Sequence, residues 1–347
     1  MNINDGETAF KVRRMRLRRN IAKLIYAALL ALVLMTPSSR DEAVTVSGDG
    51  VIKWVDFSVT AEILRAALKW DISTYEAAKN GDGLHADMVT LVALAASRSG
   101  GDFRRCKAAD IESFAKRLSA GEKPEEISTS ENLVYYLKAY EAALGGFVGG
   151  YAVERGGGLE KRYGLKVVSP FAAGYYYSDF DDFGAARSYG YRRPHLGHDM
   201  TGSVGTPIVA VESGWVEACG WNQYGGWRIG IRSFDGKRYY YYAHLRKGHP
   251  FADMYEGKQV AAGDVIGYLG MTGYSSKEDT NNIDTPHLHF GVQLIFDESQ
   301  KDGWNQIWID LYEYTRFLSA YRSEVFYDKA IGEFRAKAPM IDLDAPD

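Results

Sequence analysis

At Gly149 the chain changes texture, and that change limits its fold more than any other feature. Before it, apolar residues recur at spacings of three and four: Val59, Ile63, Leu64, Ala67 and Leu68 in VTAEILRAALKW, with similar patterns in ADMVTLVALAASR, ADIESFAKRLSAG and ENLVYYLKAYEAAL. Such spacing places apolar side chains on one helical face and predicts a compact bundle of four or more helices over residues 55–148. After it come short alternating segments rich in glycine, β-branched residues and aromatics: VVSPF, TPIVAVES, GWVEACGW, WRIGIRS, KRYYYYAHL, DVIGYLG and PHLHFGVQL. These read as strands of a mostly antiparallel sheet, with Phe234-Asp235-Gly236 as a hairpin turn. The expected fold class is therefore α+β multidomain, with the sheet domain over 149–335. Residues from Ile307 to Arg335 read as helical again, and residues 336–347 as a polar tail.

The amino end is a membrane signal. KVRRMRLRR at 11–19 carries six positive charges in nine positions and precedes an apolar run from Ile21 to Met35 that contains one charge, Lys23. A basic flank places residues 1–20 in the cytoplasm and everything after the run on the far side of the membrane. The run is short for a spanning helix, but the MTPSSRDEA that follows offers no clean small-x-small cleavage site. The expectation is thus a single-pass signal-anchor over 21–36, with secretion after cleavage as the alternative and a linker over 37–54. The formal charge of −4 argues against bulk nucleic-acid binding. Cys106 and Cys219 fall in different expected domains and exclude a disulfide framework.

Six of the seven histidines lie between 195 and 289. His287 and His289, two apart in a strand-like run, share one face while Leu288 and Phe290 enter the core on the other. HLGHD places His195 and Asp199 four apart, but Gly197 and the flanking sequence argue for a loop or bulged strand, and a helical HExxH motif is absent. His195 and Asp199 can converge on one ion. His198, beside Asp199, points elsewhere, as an outer partner or a surface residue. His244 ends the tyrosine-rich strand, where Tyr240 and Tyr242 share its face. The helical region holds one histidine, His85, and no chemistry.

Together these residues resemble the M23 (LytM/lysostaphin-type) zinc metallopeptidases from about Ser169 to Gln293. The ordered motifs are SPF, H-x-G-x-D at 195–199, GTPIVAVESGWV at 205–216, Y-x-H-L at 242–245, the glycine-rich run from Gly257 to Gly273, and PHLHF at 286–290. The resemblance implies one Zn²⁺ per chain held by His195, Asp199 and His289, with His287 as general base and His244 orienting the water or stabilising developing charge. A neutral imidazole with a pKa of about 6.5 suits a zinc-bound water whose pKa falls to roughly 7. The family's usual substrate is the peptide of bacterial peptidoglycan, which exposure outside the membrane would place within reach. The alternative is a non-catalytic zinc-binding scaffold or regulator of the envelope. The YSSKEDTNNID insert at 274–284 borders the site. For the helical domain, a spacer, an inhibitor covering the groove and a docking site for a regulatory envelope protein are the roles left open.

Overall fold

A computed structural model describes residues 52–155, 157–189 and 191–346 of the 347-residue chain. The expected basic tail (1–20), the expected membrane segment (21–36) and most of the expected linker lie outside the described residues. Among the described residues no helix is long and apolar enough to cross a membrane.

Among the described residues five α-helices come first: α1 (Ala61–Lys79), α2 (Met88–Ser99), α3 (Ala108–Ser119), α4 (Pro124–Ile127) and α5 (Leu133–Leu144). Their ends follow local chemistry. Thr60 caps α1 by accepting from the Ile63 amide and Asp87 caps α2 by accepting from Thr90, while α2 stops at Gly100, whose φ of 65° suits glycine. The apolar stripe read from the sequence is the buried one: Ile63, Leu64, Ala67 and Leu68 of α1 and Ile111, Phe114, Ala115 and Leu118 of α3 are all buried.

The strands follow as β1 (Val148–Arg155), β2 (Gly158–Leu165), β3 (Ala186–Tyr189), β4 (Tyr191–Pro194), β5 (His198–Thr201), β6 (Pro207–Val209), β7 (Gly214–Asn222), β8 (Gly226–Ser233), β9 (Arg238–Ala243), β10 (Gln259–Val260), β11 (Val265–Tyr268), β12 (His287–Leu294) and β13 (Ile307–Trp308). A seven-stranded antiparallel sheet runs β10-β7-β8-β9-β12-β13, with β5 also pairing β12. The β8–β9 turn contains Gly236 at φ 74°, as the Phe-Asp-Gly turn requires.

Three expectations are corrected. Residues 307–335 are not one helix. After the short β13 only α6 (Tyr312–Leu318) is helical, and β14 (Val325–Asp328) and β15 (Glu333–Ala336) form a hairpin closed by Gly332 at φ 73°. Nor are residues 336–347 simply a tail: β16 (Met340–Asp342) pairs with β1, and the buried Lys166 donates to Asp342 at 2.8 Å and Asp344 at 2.7 Å. A strand this short carries too weak an alternation to be read without its partner. VVSPF, expected as a strand, contributes a single bridge, Phe171 to Ile208.

The helices and the sheet make direct contacts. Arg238, 1% exposed, donates to the Ala142 carbonyl at the end of α5 (2.7 Å) and forks onto Glu212 (2.8 and 2.9 Å). His85, given no role from sequence, bonds the buried Asp71 at 2.9 Å, and Tyr163 of β2 donates to the same carboxylate. The cysteines are free thiols.

Candidate metal site and active-site cleft

Strand β12 organises the site. His289 lies opposite Asp199 of β5 on one side and Ala243 of β9 on the other, and His287 lies opposite Thr201. Residues directly opposed in an antiparallel ladder present their side chains on the same face, so this register brings His289 and Asp199 together. Leu288 and Phe290 are fully buried on the other face, as the alternation predicts. His195 arrives from the loop between β4 and β5, fixed by its amide donating to the Ala185 carbonyl and its own carbonyl accepting from Gly184. Gly197 has to be glycine: a Cβ there would lie 2.6 and 2.7 Å from ring atoms of His289 and 2.9 Å from the Phe290 carbonyl.

The result is a triangle of donor atoms. His195 Nε2 lies 2.9 Å from His289 Nδ1 and 3.0 Å from Asp199 Oδ1, and the third edge, His289 Nδ1 to Asp199 Oδ1, is 2.9 Å. Among the described residues this is the group of three or more His, Cys, Asp or Glu side chains close enough to hold a metal ion. Two imidazoles and one carboxylate make up the three-ligand type of set found in catalytic zinc sites, and the triangle is small enough for all three to reach one ion at roughly 2.0–2.2 Å.

Behind the triangle stands a layer of which sequence reasoning had named only His198. The Asp182 carboxylate, fully buried, accepts from Arg187 at 2.8 Å and faces His195 Nδ1 at 3.1 Å and His198 Nδ1 at 3.4 Å, while the Asp182 backbone carbonyl accepts from His195 Nδ1 at 3.1 Å. Arg187 also donates to Asp199 at 2.9 Å. His198 is 1% exposed and contacts Asp179 at 2.9 Å, so it is an outer partner and not a surface residue. It pairs with Phe290 on the core face of β5, opposite to Asp199's side. Burial pushes the Asp182 carboxyl up, but His195 and His198 outweigh it and hold it well below the usual carboxylate range. Burial likewise pulls His195 down, yet Asp182 and Asp199 hold its proton on up to about 9. Beyond His198, the sequence trace of this layer was the acidic pair Asp181-Asp182, thirteen residues before His195, with no ligand spacing to mark it.

His244 reaches the site by a route that alternation does not predict. Tyr240 and Tyr242 are fully buried on the core face, where strand continuation would also send His244. Instead the ladder to His289 ends at Ala243, and His244 adopts φ 62°. Its ring lies with centroids 4.8 Å from His287, 5.8 Å from Tyr274 and 5.9 Å from His289. The expected Tyr240 and Tyr242 neighbourhood is therefore replaced by Tyr274 and, beside His289, Tyr241. Backbone carbonyls fix both tautomers, because a carbonyl only accepts: His287 Nδ1–H donates to Thr285 at 2.8 Å and His244 Nδ1–H to Thr272 at 2.8 Å. Each neutral ring is left with a lone pair on Nε2. Burial, reinforced by His287 and His289, holds the His244 imidazolium well below the usual histidine range.

The five residues line a cleft of about 760 Å³ that continues over the sheet past Tyr241 and Arg228 to Trp308. Of the 274–284 insert, Tyr274 lines it. The insert is pinned by Asp279, which accepts from Trp227 Nε1 at 2.9 Å and the Gly248 amide at 2.8 Å.

Comparison with known proteins agrees with this geometry. Residues 193–302 match the model of Peptidase family M23. The chain is 41% identical over 117 residues to the L-Ala–D-Glu endopeptidase of Bacillus subtilis (strain 168), a stretch covering 33% of this chain and 34% of that one. It is 39% identical over 97 residues to lysostaphin of Staphylococcus simulans, covering 28% of this chain and 17% of that one. The matches thus span about a third of the first relative and less than a fifth of the second. A solved structure from Ruminococcus gnavus ATCC 29149, named as a lytM glycyl-glycine endopeptidase, shares the fold with a TM-score of 0.51 at 24% identity, over 78% of this chain and 91% of that one.

Proposed function

We propose, on the premise that residues 193–302 are a peptidase family M23 domain, that the chain is a zinc metalloendopeptidase hydrolysing stem or cross-bridge peptides of bacterial peptidoglycan. The observation that carries this reading is the pairing of a three-donor metal triangle with two further imidazoles, each turned by a backbone carbonyl so that Nε2 bears a lone pair. In this reading His195, Asp199 and His289 hold one Zn²⁺. Zinc, when bound, polarises the scissile carbonyl and lowers the pKa of a coordinated water to roughly 7. His287 Nε2 takes the proton from the attacking water. His244, kept neutral and without a hydrogen on Nε2, accepts a hydrogen bond and so orients that water; of the two roles the family resemblance leaves it, this tautomer favours the first. Asp182 holds His195 with Nε2 turned to the ion.

The basic flank and apolar run at the amino end support a single-pass tether with the peptidase outside the cytoplasm, beside its polymer. The test is digestion of purified sacculi by the zinc-loaded full chain. Release of muropeptides that stops on chelation and returns with zinc is expected, and His287→Ala should lower kcat by roughly 10²–10⁴-fold with zinc still bound. A folded, zinc-replete chain that releases nothing from any wall type would overturn the reading.

A further inference from the structure

The face of the sheet that carries His289 continues as the cleft floor, and two arginines stand on it. Along β8, Ile229 and Ile231 point into the core, which leaves Arg228, Gly230 and Arg232 on the cleft side. Ile229 pairs with Tyr242, and the next residue, Ala243, pairs with His289. Arg228 therefore lies in the row of His289, two strands away, ~10 Å between backbones at about 4.8 Å per strand.

The two side chains differ in what they already bind. Arg232, 8% exposed, forks onto Glu217 at 2.6 and 3.0 Å and covers the Tyr239 ring at 5.0 Å. Its Nη1 is buried without a partner. Among the described residues Arg228 has no hydrogen bond or ion pair to its guanidinium, and its Nη1 is also buried unpartnered. Of the three carboxylates that line the cleft, Glu217 is committed to Arg232 and Asp199 to His195, His289 and Arg187, and the third is Asp302. A planar guanidinium with unused donors, in a cleft whose lining carries more Arg and Lys than Asp and Glu, matches a carboxylate in shape and charge.

We propose that Arg228 is a carboxylate-recognition subsite that binds a free carboxylate of the substrate peptide about two or three residues from the bond being cut, at roughly 3.3 Å per extended residue. The subsite rests on the peptidase reading above and adds to it the substrate class, a peptide with an unblocked acid near the scissile bond. That acid can be a branch carboxylate or the carboxyl terminus. Arg228 does not touch the reacting atoms and acts by holding substrate.

The test is calorimetric binding to the zinc-loaded full chain carrying His287→Ala, which blocks turnover. The probes are the stem tetrapeptide L-Ala–γ-D-Glu–L-Lys–D-Ala and two analogues, one amidated on the D-Glu α-carboxyl and one at the carboxyl terminus. One amide should bind roughly ten- to a hundredfold more weakly than the free acid, the range a hydrogen bond to a charged group supplies, and which amide it is identifies the carboxylate. Adding Arg228→Gln should weaken the free acid to the level of that amide without weakening the amide further, and Arg228→Lys should recover part of the difference. Equal binding of all three peptides, binding of none, or an Arg228→Gln loss shared equally by acid and amides overturns the subsite. Should Arg228→Gln fail to fold, the acid-to-amide ratio with Arg228 in place decides alone. Sacculus digestion by the unmutated chain separates the two readings: digestion with no acid preference overturns the subsite alone, and acid-dependent binding without digestion overturns the peptidase reading alone.

Discussion

Asp182→Asn tests whether the layer behind the metal triangle serves the ion or only the fold. The carboxylate is fully buried: Oδ2 lies 2.8 Å from Arg187 Nη2 and 3.1 Å from His195 Nδ1, and Oδ1 faces His198 Nδ1 at 3.4 Å without a hydrogen bond. Asparagine keeps one acceptor oxygen but removes the charge, so His195 and Arg187 lose their carboxylate partner. Loss of an outer partner of a metal-binding imidazole typically lowers metal affinity about 10–100-fold. Here His195 Nδ1 also lies 3.1 Å from the Asp182 backbone carbonyl, which the substitution leaves in place, so the lower part of that range applies. Arg187 then pulls in the same direction, because with Asp182 neutral its remaining carboxylate is Asp199, one of the three candidate ligands. The expected loss is about ten- to thirtyfold in zinc affinity, or about 1.4–2 kcal/mol. Titration of the metal-free chain against a chromophoric chelator measures it, and thermal unfolding in excess chelator reports the fold separately. A zinc Kd within twofold of the unmutated chain, with unchanged unfolding in chelator, would refute the reasoning. An unchanged Kd with a lowered unfolding midpoint would assign Asp182 to the fold alone.

Gly197→Ala pushes a methyl group into the His289 ring; peptidase activity on sacculi should fall more than tenfold with zinc content reduced, as read by metal analysis of the purified protein. Arg238→Leu leaves Glu212, itself 8% exposed, without its guanidinium and should cost about 3–5 kcal/mol of unfolding free energy in urea titration, while any surviving folded protein keeps its zinc. Burial, with Glu256 adding to it against the pull of Arg228, pushes the Cys219 thiol up to about 11. At pH 8 its alkylation by iodoacetamide should be roughly a hundredfold slower than that of an unperturbed thiol, rising about tenfold per pH unit until about pH 11, a profile that mass spectrometry follows directly.

Most residues of the candidate site were legible in the sequence because they lie in motifs with a local reason. His-x-His on a strand fixes a shared face by period-two alternation, and the structure places His287 and His289 there with Leu288 and Phe290 in the core. Gly197 in HLGHD excluded a helix, and the segment is indeed a loop entering β5. Helical stripes of three and four spacing were equally local, since each is satisfied within one helix. What failed were features whose cause lies elsewhere in the chain. β16 exists because β1 and Lys166 are there to receive it. His244 leaves the alternation of its strand at a positive φ that nothing in YYYYAHL announces. Asp182 matters because folding puts its carboxylate behind His195, and Arg228 because two strand crossings place it in the row of His289.

By itself, then, the sequence determined which faces are apolar, since these follow from residue type and from periods of 2 and 3.6 that act over a few neighbours, and its ordered motifs, through their resemblance to a known family, pointed to the residues of the candidate site. Only the tertiary structure decided how those residues work together. The register of β12 between β5 and β9 sets the 2.9–3.0 Å triangle, Thr285 and Thr272 carbonyls choose the tautomers of His287 and His244, and the pairing of β8 with β9 puts Arg228 in the row of His289 along the cleft. These are through-space relations between segments up to a hundred residues apart, and no local pattern encodes them.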